Sequence, residues 1–224
     1  RTSTISGNSF NVVATSSFAA NIATAGPIAG GRDVAAAFSS TEVHWYAITT
    51  GLGSTAPIGL VSTTRPPAGP AMPTTAGYSA WCYLGASPYT SASTTVLADH
   101  YVRGPWATFS PYQPTSVVST NPATEVTLTL SSQIPSNAET IRLRVGSAQT
   151  GGGTIVDPIH IRVVSSQDLW TQTLTNTTTS VMIFHPVDVP NVSRSVIYQS
   201  ASSAGASAPG MTIDVMGWTN PIGA

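Results

Sequence analysis

The sequence contains no lysine: all eight of its basic residues are arginine, set against nine acids, for a formal net charge of -1. Charged residues make up 8% of the chain, where about a quarter is usual for a soluble domain. Such sparse cations cannot neutralise a run of phosphates, which argues against a nucleic-acid partner and against an anionic membrane surface. A single cysteine, Cys82, excludes an internal disulfide and any thiolate-based metal site. No apolar run approaches the ~18 residues of a membrane-spanning helix, so no membrane insertion by a helix is expected. Long runs with a 3.6-residue period are also missing, which rejects a βαβ architecture. The start, Arg1-Thr2-Ser3-Thr4, is not a secretory signal. Without an initiator Met, the chain is expected to continue from a longer protein.

What remains is Ser, Thr, Ala, Gly and Pro around short strand-like runs. The 224 residues, 41% of them hydrophobic, suffice for a sizeable core. Glu42 to Thr49 is aromatic and β-branched, and Val126 to Leu130 alternates cleanly. Ile141 to Val145 reads IRLRV, with Ile141, Leu143 and Val145 on one face. Ile159 to Val164, Ser180 to Phe184, Ser195 to Gln199 and Met211 to Trp218 complete the series. Gly51 to Gly53, Gly151 to Gly153, Asn191 and Gly205 to Gly210 punctuate it. This pattern predicts an all-β chain: an antiparallel, jelly-roll-like β-sandwich with little helix, one face of each sheet being wet. Only Asp33 to Phe38 (DVAAAF) reads as a turn or two of helix. The expectation is one domain over residues 1–224, with 114–124 as the place for a subdivision.

Catalytic signals are absent. Cys82 sits between Trp81 and Tyr83, with no cation or His beside it to lower its pKa, so it reads as a buried, inert hydrophobe. His44, His100, His160 and His185 share no metal-ligand spacing. The nine acids are scattered, and no GxSxG elbow is present. Gly151 to Gly153 precedes no helix, which defeats a phosphate-loop reading. No catalytic, cofactor or metal residue is therefore assigned. Trp45 and Tyr46 alternate, so one of them is expected to leave the core. Tyr89, Tyr101 and Tyr112 fall in Pro- and Gly-rich stretches and are the candidates for contact with a glycan or a partner.

One segment carries a resemblance. Trp45-Tyr46-Ala47-Ile48 is followed by Leu60-Val61-Ser62-Thr63-Thr64, by a turn from Pro70 to Pro73 ending in Gly77-Tyr78, and by Tyr83-Leu84-Gly85. Ile134, Pro135, Ala138 and Leu143 follow in a "vP..A....l.l" order. From Glu42 to Val145 this order resembles the β-sandwich surface module of tailed phages and phage-like particles, found in tail fibres, head fibres and spikes. It differs in one strand, where Trp81 and Cys82 replace a usual pair of arginines. The resemblance implies a non-enzymatic virion structural protein of tail-fibre or appendage type, oligomeric and most simply trimeric. It would contact other virion proteins and host surface polysaccharide, with no cofactor. The alternatives are a head decoration or spike protein, and, from other classes, a polysaccharide depolymerase or esterase, or a secreted carbohydrate-binding module. In the leading reading Pro66, Pro67, Pro70 and Pro73 form a stiff connection between neighbouring strands, and Cys82 faces the core.

Overall fold

The computed structural model describes residues 2–5, 8–11, 17–39, 42–50, 56–89, 100–103, 105–115, 122, 124–148, 155–176, 182–200 and 210–221. These residues are nearly all β, with one 3-10 turn at Thr74–Ala76 and no α-helix among them. The chain divides into two compact units, Arg1–Leu97 with Pro221–Ala224, and Ala98–Asn220. The division therefore falls at Leu97/Ala98. In the 114–124 stretch, Pro114 and Thr115 pair with Asp214 and Ile213 inside the second unit, and 116–121 lie outside the described residues.

The first unit holds β1 (Thr2–Ile5), β2 (Asn8–Asn11), β3 (Glu42–Thr50), β4 (Ile58–Ser62) and β5 (Tyr78–Pro88), in the sheet order β2-β1-β5-β3-β4. Alternation along β3 puts Tyr46 and Ile48 on one face, where they meet Leu60 and Tyr83, with Trp81 alongside. Val43 and Trp45 take the other face with Val61, Phe38 and Tyr89. Neither Trp45 nor Tyr46 leaves the packing, contrary to the sequence expectation. Ala20, Ile22 and Phe38 from the segment before β3 cover the second face, so this sheet has no wet side around β3. The Trp45 indole N–H is satisfied by donating to Ser87 Oγ at 2.8 Å.

Asp33 to Phe38 forms bends and no helix. Its backbone groups are committed elsewhere. Gly30 to Asp33 runs along the outer edge of β4: Gly30 N donates to Gly59 O at 2.8 Å, Val61 N to Gly31 O at 3.0 Å and Asp33 N to Val61 O at 2.9 Å. The Val34 carbonyl accepts from Gly26 N and that of Ala35 from the Arg32 guanidinium. The segment thus covers a sheet edge that would otherwise be open to pairing.

The proline tract joins β4 to β5, but these are not neighbours: both flank β3. Cys82 is buried as expected. It pairs with Ala47, on the face opposite the Tyr46–Tyr83–Trp81 cluster, so the larger rings and not Cys82 carry that cluster.

The second unit is an antiparallel sandwich. One sheet has the order β11-β10-β13-β8, from β8 (Val126–Thr129), β10 (Ile155–Val164), β11 (Gln167–Asn176) and β13 (Ser195–Ser200). The other has the order β12-β9-β14-β7-β6, from β6 (His100–Arg103), β7 (Trp106–Thr115), β9 (Thr140–Ala148), β12 (Met182–Pro190) and β14 (Gly210–Thr219). Ile141, Leu143 and Val145 share the inner face, as their alternation predicts. They pack with Val187, Val189, Ile213, Val215 and Trp218 of their own sheet, and with Ile159, Ile161, Val196 and Tyr198 of the other. Each such aliphatic side chain contributes about 1.5–3 kcal/mol on burial.

Candidate functional site

Of the three tyrosines expected at the surface, Tyr89 is 7% exposed, with its ring edge-on to Phe38 at a centroid distance of 6.5 Å. That corrects its reading as a contact residue: the segment that covers β3 also covers Tyr89. Tyr101 and Tyr112 lie in strands, β6 and β7, instead of in connections. Their side chains are outside the described residues.

The first unit brings together Ser62, His44 and Asp33, residue types from which hydrolytic triads are built. Their connections serve packing instead. Ser62 Oγ donates directly to Asp33 Oδ2 at 2.5 Å, with no imidazole between them. The same carboxylate oxygen accepts from Ala71 N at 3.3 Å. His44 Nδ1 lies 3.3 Å from the Tyr83 hydroxyl and Nε2 lies 3.6 Å from Glu42 Oε1. Ser62, His44 and Asp33 are all buried. Tyr46 donates its hydroxyl to Thr64 O at 2.6 Å. Burial, then the nearby Tyr83 and Asp33, pushes that hydroxyl well above its ordinary pKa, so it stays a donor. Asp33 thereby ties its own segment, the end of β4 and the proline tract to one another.

On the outer face of the β8-containing sheet, Arg162 donates from Nη1 to Glu125 Oε1 at 3.0 Å and to Gln199 Oε1 at 2.6 Å, and from Nε to Asp168. His160 Nδ1 lies 2.9 Å from the same Asp168 oxygen. Glu125 also accepts from Ser165 Oγ and from Ser166 N, which holds the β10–β11 turn. The Ser165 and Ser166 bonds, followed by Arg162, hold the Glu125 carboxyl below its usual range. At Asp168 desolvation acts upwards, but the combined bonds and charges of Arg162 and His160 win and lower it.

The outer face of the β9 sheet is different, because aromatic rings join the charges. Arg142 forks onto Asp188, Nε to Oδ1 at 2.7 Å and Nη2 to Oδ2 at 2.6 Å. Its guanidinium lies 3.9 Å from the Trp106 ring centroid. That fork to Asp188 outweighs desolvation and raises the already high pKa of Arg142. Two residues on, Arg144 Nε donates to Asp214 Oδ2 at 2.7 Å, and its guanidinium lies 4.4 Å from the Phe184 ring. Phe184 itself packs over Gly146 of β9: a Cβ there would sit 2.3 Å from its ring. The pattern IRLRV marked Arg142 and Arg144 as outward-facing. Their acids come from β12 and β14, too far along the chain for spacing to reveal them.

Among the described residues no group of three His, Cys, Asp or Glu side chains is placed to hold a metal ion. No protein-family model matches the sequence, and no curated protein matches it either.

Proposed function

We propose that the chain is a non-enzymatic structural protein on the outside of a phage or phage-like particle, of tail-fibre or appendage type. It contacts other virion proteins, assembles as a homo-oligomer (a trimer in the simplest form), and meets host surface polysaccharide. The observation that carries this reading is the block β4-β3-β5. The first part of the element order that carries the resemblance, Trp45 to Gly85, folds there as adjacent antiparallel strands, and the intervening proline tract is pinned to them through Asp33 and Ala71. Support also comes from the polar groups most suited to catalysis. Ser62, His44 and Asp33 are buried and hydrogen-bonded in an order that leaves no activated nucleophile. A surface with few charges and no lysine opposes self-association only weakly, since little charge must be desolvated.

Antibody labelling of purified particles in the electron microscope tests the reading. Labelling on tails or appendages is expected. Labelling on the capsid would favour the head-decoration alternative. Absence of the protein from the particles overturns the proposal. Sedimentation of the purified chain tests its assembly, with a stable monomer at micromolar concentration counting against a self-sufficient oligomer.

A further inference from the structure

We propose that the outer face of the β9 sheet is a platform for a neutral saccharide, with Arg142 and Asp188 as its hydrogen-bonding pair and Phe184 as its stacking ring. The assignment rests on the reading of the chain as an outward-facing particle protein and gives that reading a ligand and a place.

Three properties of the face select this chemistry. The first is charge. Arg142 is matched by Asp188 and Arg144 by Asp214, so the two pairs together are neutral. An anionic ligand would have to compete with carboxylates already in place, whereas a neutral polyol meets no such penalty. The second is the disposition of donors and acceptors. Arg142 and Asp188 are 38% and 42% exposed. The fork uses Nε and Nη2 of the guanidinium and leaves Nη1 out of it, and each Asp188 oxygen keeps lone-pair capacity beyond its single bond. A donor edge beside an acceptor edge is what adjacent sugar hydroxyls need, since each hydroxyl both gives and takes a hydrogen bond. The third is rigidity. Trp106 backs the Arg142 guanidinium, which fixes its plane and lowers the ordering cost of binding. Phe184 packs against Gly146 and the Arg144 guanidinium and is still 38% exposed, which offers apolar ring surface to the C–H face of a sugar. Asp214, only 3% exposed, anchors Arg144 from beneath and does not reach the ligand.

Native affinity electrophoresis of the purified full chain tests this, in gels containing dextran, galactan or mannan, with polygalacturonate as the acidic comparison. Retardation by at least one neutral polymer is expected. Asp188→Asn and Phe184→Leu should each weaken it by about tenfold, the scale of one lost charge-assisted hydrogen bond or stacking contact. Circular dichroism should show both variants folded, and Val164→Ser, exposed on the other sheet, should behave like the parent. No retardation in any neutral polymer, retardation only in polygalacturonate, or unchanged retardation of both variants overturns the platform. Labelled particles without retardation overturn the platform alone, and retardation without labelled particles overturns the particle reading alone.

Discussion

Ser62 gives its hydroxyl hydrogen to Asp33 across 29 positions of sequence, and the two side chains are buried together at the end of β4. The same carboxylate holds the Ala71 N–H of the proline tract. Asp33→Ala should therefore leave the buried Ser62 hydroxyl without its acceptor, at a cost of about 1–3 kcal/mol, while the Ala71 N–H, on an exposed residue, can turn to water. Ser62→Ala removes a donor to that carboxylate and also the acceptor of Thr64 N at 2.9 Å, so it too should lower stability. Urea denaturation followed by Trp fluorescence reads both, and equal stability of Asp33→Ala and the parent would refute the clamp.

Ser166 closes the β10–β11 turn with a φ of 62°. That left-handed conformation costs an L-residue roughly 1–2 kcal/mol, and Gly adopts it freely, at some cost in unfolded-chain entropy. Ser166→Gly retains the N–H that Glu125 accepts, so it should raise stability by up to about 1 kcal/mol. Ser166→Val should lower it. A rise in the thermal midpoint for the first and a fall for the second checks the pair.

Acid should loosen the second unit through Glu125 and Asp168. Both folded carboxyls titrate below their unfolded values of about 4.3 and 3.9. Their contribution is whole above those values and is lost as pH falls through the folded ones. The urea midpoint of the parent should drop as pH falls below about 5. Glu125→Gln with Asp168→Asn should be weaker at pH 7 but flatter across that window.

Gly217 sits at the irregularity where β14 pairs with β7, and a Cβ there would lie 2.0 Å from the Ala107 carbonyl oxygen. Backbone cannot yield as a side-chain tip can. Gly217→Ala should cost about 1–3 kcal/mol or more, by overpacking and a shifted register. Stability unchanged in guanidinium titration would show that the bulge relaxes.

Cys82 should react slowly with a bulky thiol reagent in the folded protein and quickly after unfolding, because it is buried between neighbouring strands. Rapid labelling of the native chain would contradict its burial. Cys82→Ser should cost about 1–3 kcal/mol if the new hydroxyl finds no partner.

Alternation made the inner strands readable from sequence: Ile141, Leu143 and Val145 face one core because a two-residue period admits no other arrangement. The strand β7 was not readable, since Pro111 and Pro114 argue against a strand interior. Among the described residues its pairing with β6 ends at Phe109, and Pro111 and Pro114 lie beyond that, where proline is tolerated on an unpaired side. β11 was hidden for a related reason: it is an edge strand of polar residues, QDLWTQTLTN. Tyr89 was misread because its cover, Phe38, arrives from a segment far earlier in the chain. The acids opposite Arg142 and Arg144 were invisible for the same physical reason. Register between distant strands is set by the whole sheet and not by local spacing.

The central place of β9 also sets a timetable for synthesis. Both its neighbours, β12 and β14, come later in the chain, and Asp214 follows its partner Arg144 by 70 residues. At about 5–20 residues per second, a ribosome needs about 4–14 s to cover that interval. Throughout it, Ile141, Leu143 and Val145 have been made but the strands that shelter them are incomplete. The second unit therefore closes only near the end of its translation. A message truncated before β14 would release a chain with β9, the strand that carries Ile141, Leu143 and Val145, bare along one side, a template for aggregation.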